Sequence, residues 1–116
     1  MEKSRFDNYI DGVVKVCEKV KKKTDFAANQ NVTTMADLKV IYKLNFQKMS
    51  KRVQDIEFAK SENFELSMKI KTRMVKNITT DNVVVIDNKM HSIRYIDDDG
   101  NKNMYLYLQG ERKLDE

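Results

Sequence analysis

The chain has 116 residues but only one cysteine, three glycines, no proline and no tryptophan. The single thiol, Cys17, excludes an internal disulfide and cannot form a zinc site without other ligands, so we expect the reducing cytosol. The lack of a Pro-rich or Gly/Ser-rich linker predicts one domain over residues 1–116.

Apolar runs are also short. No segment approaches the roughly 18 consecutive apolar residues of a membrane-spanning helix, and residues 1–12 lack the apolar centre of a signal peptide. We therefore expect a protein that is made in the cytoplasm and has no membrane partner.

Groups suited to catalysis are scarce as well. The three glycines stand apart, which excludes a glycine-rich phosphate loop. The single histidine, His91, lies in a predicted strand and far along the chain from Cys17, so no nucleophile held against an oriented base is indicated. We expect no enzymatic activity, no cofactor and no metal site.

The net charge of +4 is unevenly distributed. Basic residues outnumber acidic ones by ten to six over residues 1–50 and by seven to four over 51–80, whereas residues 81–116 carry five against eight. A dedicated DNA-binding protein normally carries a denser basic stripe, so this balance indicates at most weak electrostatic contact with nucleic acid.

Alternating apolar and polar side chains predict about six short strands and at most one short helix. The pattern is clearest in residues 64–75, and short turns at 87–89 and 97–102 separate three further strands. We interpret the chain as a mainly β protein, a small six-strand barrel or sandwich. It would carry a long polar loop at 24–37 and a short helix or arm at 50–62, which Ser50 can cap.

Two groups of charged residues are candidates for contact with a partner. Lys69, Lys71 and Arg73 alternate along the predicted strand 64–75 and form one basic face, suited to a phosphate backbone, an acidic neighbour or water. Arg52 and Asp55 are three residues apart, close enough for an ion pair on a helix.

Three consecutive aspartates, Asp97 to Asp99, form an acidic tip between the last two predicted strands. Closely spaced carboxylates suit calcium, but the spaced pattern of a calcium loop and its closing glutamate are missing. Asp and Asn also favour turns by bonding their own backbone, and Gly100 can supply a positive φ. A metal loop, a solvated turn and a surface that repels a partner therefore remain three readings of this tip.

In order, these segments resemble the head-tail adaptor family of long-tailed bacteriophages, also called head-closure or stopper proteins, in the form found in phages of Gram-positive hosts. The resemblance covers most of the chain, through "VVKVCEKVKKKTD", a long loop, an aromatic strand, "SKRVQDIEFA", "LSMKIKTRMV" and "VVVIDNKMHSIRYIDDDGNKNMYLYL". His91 departs from the family pattern, which usually has a tyrosine at that position. The matching positions are Arg52, Asp55, Lys69, Lys71, Arg73, Ile93, Tyr95, Ile96, Asp97, Tyr105 and Leu108.

The resemblance implies a small β-barrel that assembles as a ring at the head-tail interface of the virion, beneath the portal or connector ring protein. Such a ring closes the exit channel after DNA packaging and provides a platform for the tail. The implied partners are the portal or connector, a tail terminator or tail-joining protein, further copies of the chain in a hexamer or dodecamer, and packaged double-stranded DNA by proximity.

On this reading, Arg52, Asp55, Lys69, Lys71 and Arg73 contact a neighbouring subunit or the connector. Asp97, Asp98 and Asp99 are candidates to face the lumen, where like charge keeps phosphates from adhering, or else they face solvent. Residues 24–37 are the candidate plug or the candidate segment for docking to neighbours, mobile in the monomer and ordered on assembly.

Two alternatives stay open. One is a tail-completion ring. The other is a single-stranded nucleic-acid-binding barrel with stacking aromatics, for which Tyr42, Phe46, Tyr105 and Tyr107 are available.

Overall fold

The computed structural model describes residues 9–20 and 35–114, and within them six antiparallel strands form one sheet closed into a barrel. The order around the barrel is β1-β2-β3-β6-β5-β4, and β4 pairs back onto β1. The prediction of a mainly β, six-strand fold is confirmed. The strands are β1 (Gly12–Lys19), β2 (Leu38–Met49), β3 (Met68–Arg73), β4 (Val83–Ile86), β5 (Lys89–Asp98) and β6 (Asn103–Lys113).

One α-helix, α1 (Val53–Ser61), lies between β2 and β3 in the described part of the chain, inside the predicted segment 50–62. A short 3-10 turn at Met35–Asp37 leads into β2. The rest of the predicted loop, residues 24–34, lies outside the described residues. No helix within the described ranges is long and apolar enough to cross a membrane.

The barrel interior is filled by alternate side chains from all six strands, because successive strand residues point to opposite faces. Ile70, Ile93, Leu106 and Leu108 are almost fully buried there. Removing each such aliphatic side chain from water contributes roughly 1.5–3 kcal/mol. The whole interior cluster comprises Val14, Val16, Leu44, Phe46, Ile70, Val84, Ile86, Ile93, Met104, Leu106 and Leu108.

A second cluster covers part of the outer surface around β4. It packs Cys17, Val83 and Val85 against Leu38 at the start of β2 and Leu114 just after β6. All four residues of β4 are therefore buried, since this strand is covered on both faces. The predicted tight turn after β4 is confirmed: Asp87 and Asn88 have φ of 50° and 66°, as a two-residue type I′ hairpin requires.

A third cluster joins α1 to the outside of the barrel. Ala59 packs with Phe64, Leu66 and Tyr107. The predicted strand 64–75 is longer than the observed one, because β3 begins only at Met68 and ends at Arg73. Phe64 and Leu66 fill the space between α1 and the barrel wall.

Candidate functional site

The first turn of α1 places an acidic side chain against the barrel wall. Arg52 is the N-cap residue, with extended backbone (φ −79°, ψ 162°), and its N–H donates to Asp55 Oδ2 at 3.0 Å. A carboxylate at this position satisfies a free N–H and opposes the positive end of the helix dipole. The prediction that Ser50 caps the helix is wrong, because the helix begins at Val53.

Asp55 and Lys69 form a buried ion pair between α1 and β3. Lys69 Nζ lies 3.3 Å and 3.4 Å from the two carboxylate oxygens of Asp55. Asp55 is 3% exposed and Lys69 is 6% exposed. A buried pair of this kind is costly to break, because either partner left alone is a buried, unpaired charge.

This pair corrects the predicted basic face of β3. The prediction that the three cations lie on the face opposite the core is correct, since Met68, Ile70 and Thr72 contribute to the inner side. Arg73 is exposed and Lys71 is half-buried, but Lys69 is covered by α1 and bonded to Asp55. The three cations therefore do not form one exposed stripe, because a helix lies over the first of them.

Two tyrosines of β6 complete the surroundings of the pair. Tyr107 donates its hydroxyl to Asp55 Oδ1 at 3.2 Å. Lys69 Nζ lies 5.0 Å from the ring centre of Tyr107 and 5.5 Å from that of Tyr105, within range of a cation-π interaction. Burial, together with the charge of Asp55 and the hydrogen bond to it, raises the pKa of Tyr107 to about 12.

Asp55 stays ionised near neutral pH. Burial opposes ionisation of Asp55, but hydrogen bonds from Arg52 and the nearby charge of Lys69 outweigh it and lower the pKa of Asp55 to about 2. The hydrogen bond to Asp55 raises the pKa of Arg52. A carboxylate held ionised in this way is a poor proton carrier, so the cluster is suited to holding surfaces together rather than to acid-base chemistry.

Arg52 connects this buried pair to the surface. Its guanidinium bonds Asp55 through Nε at 3.3 Å and Nη2 at 3.4 Å, yet its side chain is mostly exposed. It lines a surface groove of about 310 Å³ with Lys69, Tyr105 and Asp97. The sequence alone did not indicate that Asp97 lies beside Arg52. The pairing of Asp97 with Tyr105 across β5 and β6 brings it there.

The other two aspartates of the acidic tip hold a turn. Asp98 accepts a hydrogen bond from Gly100 N–H at 2.9 Å. Asp99 Oδ1 accepts from the backbone N–H of residues 101, 102 and 103 at 2.8–3.1 Å, and these bonds lower the pKa of Asp99. Gly100 has φ +74°, as predicted. Among the described residues, no three His, Cys, Asp or Glu side chains lie close enough to hold a metal ion.

The aromatic residues considered for base stacking do not form an exposed row. Phe46 and Tyr107 are buried. Tyr42 and Tyr105 are half-buried, and the Tyr42 hydroxyl donates to the Lys76 carbonyl at 2.9 Å. Stacking of single-stranded bases needs exposed aromatic faces, so the structure offers no support for that alternative.

His91 and Cys17 lie on opposite faces of the sheet. His91 is buried and pairs with Val84, an interior residue, whereas Cys17 belongs to the outer cluster. Burial, with a smaller effect of Lys89, lowers the pKa of His91. His91 Nδ1 has no hydrogen-bond partner among the described residues. The arrangement does not bring a nucleophile to a base.

No family model matches the chain, and no curated protein matches it.

Proposed function

We propose that this chain is a structural subunit of a long-tailed bacteriophage virion. It forms a ring beneath the portal or connector at the head-tail interface, closes the DNA exit channel after packaging and provides the platform on which the tail docks. The order of the segments that resemble the head-closure family supports the proposal. A closed barrel with one short helix between β2 and β3 agrees with the small barrel that this resemblance implies.

The observation that carries the proposal is the attachment of α1 to the barrel by the Asp55–Lys69 pair. This buried contact fixes the helix, so that the partly exposed guanidinium of Arg52 is presented from a rigid wall. An arginine held in this way can bind a carboxylate of a neighbouring protein through parallel hydrogen bonds, which sets registry as well as attraction. Ring subunits require contacts of this kind, repeated by rotation until the ring closes.

The proposed partners are further copies of this chain, the portal or connector ring and a tail-joining or tail-terminator protein. Packaged double-stranded DNA passes close by. The role assigns no catalysis and no cofactor to the protein, since binding of the neighbouring rings performs the work of closure.

Electron microscopy of particles assembled without this protein tests the function. We expect heads that package DNA but do not retain it, beside separate, complete tails. Heads that keep their DNA while tails are malformed would contradict head closure and favour a tail-completion ring.

Arg52→Ala tests the site, and Lys51→Ala is its matched control because Lys51 is a neighbouring exposed cation. We expect Arg52→Ala to reduce DNA retention or tail attachment while the isolated protein keeps its thermal unfolding midpoint within a few degrees. Lys51→Ala should assemble normally. Normal phage titre from Arg52→Ala would refute the role of this residue.

A further inference from the structure

Helix α1 presents apolar side chains to solvent on the face turned away from the barrel. Val53 is 70% exposed, and Ile56, one turn further on, is also exposed. The opposite face of the helix is the buried one, where Asp55 and Ala59 contact the barrel wall. We name the outward surface of Val53, Ile56 and Glu57 the helix face.

A second exposed apolar surface lies on β1. Val13 points away from the barrel interior, which receives Val14 and Val16, and is 51% exposed. Ile10, just before the strand, is 78% exposed. With the outward lysines Lys15 and Lys43 these residues form what we name the strand face.

The two faces lie on opposite walls of the barrel. Helix α1 covers the wall centred on β6, since Asp55 bonds both Lys69 on β3 and Tyr107 on β6, and Phe58 packs on Tyr95 of β5. In the closed order β1-β2-β3-β6-β5-β4, the strand three places from β6 in either direction is β1. A copy that covers the helix face therefore leaves the strand face of the same molecule free.

Two like charges on the strand face can be offset by the carboxylate of the helix face. Lys15 and Lys43 are direct cross-strand partners, and like charges in that position are unfavourable. Among the described residues no ion pair to a carboxylate relieves them. The helix face carries Glu57, exposed and four residues from Val53, and the exposed Lys60 lies beside it, three residues further on. A carboxylate brought against the two lysines would offset their repulsion while Val53 and Ile56 cover Val13 and Ile10.

We propose that the helix face of one copy docks on the strand face of the next copy, in a head-to-tail contact. This deepens the proposed ring function and rests on it. A two-fold contact through either face would leave the other apolar face exposed, whereas a head-to-tail contact covers both and repeats around a ring.

Complementation between two variants tests the contact. Ile56→Lys alters the helix face at an exposed position of α1 and adds a charge of the same sign as Lys15 and Lys43, while lysine remains a good helix former. Val13→Glu alters the strand face and places an acid against Glu57. Each variant is checked by thermal unfolding and then studied by sedimentation velocity from micromolar to millimolar concentration, alone and in an equimolar mixture.

We expect the wild-type chain to self-associate with increasing concentration. For each variant alone, the dissociation constant of self-association should be at least roughly tenfold higher. The mixture should form a heterodimer and stop there, because each variant supplies one intact face. Wild-type protein that stays monomeric, a mixture that stays monomeric, or either variant alone associating as strongly as the wild type would overturn the proposal.

Duplex DNA binding that is lost in Lys43→Glu would also overturn the proposal, because it would assign the strand face to nucleic acid. The outcome is separable from the head-closure function. Particles that lose DNA without this protein, combined with failed complementation, would leave the ring function standing and refute these two faces. Successful complementation, combined with heads that keep their DNA in the protein's absence, would support the two faces and refute the head-closure function.

Discussion

Replacing Asp55 by asparagine tests whether a buried charge holds α1 to the barrel. The substitution keeps the shape of the side chain but removes the negative charge that Lys69 Nζ meets at 3.3 Å. Breaking a buried pair from one side costs about 3–5 kcal/mol, and the exposed Arg52 contact adds about 1 kcal/mol or less. We expect Asp55→Asn to lower the free energy of unfolding by about 3 kcal/mol at neutral pH.

The lowered pKa of Asp55 gives a similar loss of unfolding free energy. Its folded value of about 2 lies below the unfolded value of about 3.9. A lowered carboxyl pKa stabilises the fold above the unfolded pKa, and this contribution is lost as pH falls from about 4 to about 2. A difference of roughly two units corresponds to about 2.5 kcal/mol. The stabilities of wild type and Asp55→Asn should therefore converge as the pH approaches 2.

Urea unfolding followed by far-ultraviolet circular dichroism measures the loss. With a slope of about 1–3 kcal/mol per molar urea, the midpoint should fall by roughly 1–3 M. Combining Asp55→Asn with Lys69→Met should recover much of the loss, because no charge then remains buried. A loss below about 1 kcal/mol would show that the pair behaves like an exposed one and refute the reasoning. A double variant whose loss of unfolding free energy equals the sum of the two single losses would also refute it.

The buried histidine and cysteine lead to two further predictions. Because burial and Lys89 lower the pKa of His91, the unfolded chain takes up a proton first as pH falls, so stability should be level above about 6.5 and decline below it. Urea titrations of His91→Gln should lack that decline, and an unchanged decline would assign it to another group. Burial raises the pKa of Cys17 to about 11 from 9.0, with Lys15 opposing, so its reaction with a disulfide reagent at pH 8 should be about 100-fold slower in the folded than in the unfolded chain. Equal rates would mean that the reagent reaches Cys17 in the folded chain, so that the cluster around it does not exclude solvent.

Much of the barrel could be predicted from local patterns. Alternation identified the strand containing Ile70, and the residue types at Asp87 and Asn88 identified a turn that needs positive φ. Such signals depend on neighbours in sequence. The closure of β1 on β4 depends on residues 66 to 70 positions apart, and the sequence left barrel and sandwich open because no local pattern distinguishes them.

The position of Lys69 shows why the candidate site could not be predicted in full. Alternation correctly predicted that Lys69 points away from the interior, but it could not show that a helix covers the outer face there. Helix α1 buries only Asp55 and Ala59 fully, so its apolar pattern is too weak to mark the covered side. The available signal was a lysine and a tyrosine, Lys69 and Tyr107, facing each other across strands with an aspartate in the preceding helix.

The acidic tip requires an experiment that separates charge from shape. Asp98 and Asp99 accept backbone hydrogen bonds that hold the turn. The hydrogen bonds to Asp99 also lower its pKa, which favours its charged form. Asparagine keeps an acceptor oxygen and removes the charge, whereas alanine removes both. If charge repels DNA in a lumen, Asp→Asn at all three positions should change the salt dependence of genome ejection as much as Asp→Ala does. An effect of alanine alone would mean that the shape of the turn matters, and no effect of either set would mean that Asp97, Asp98 and Asp99 face solvent.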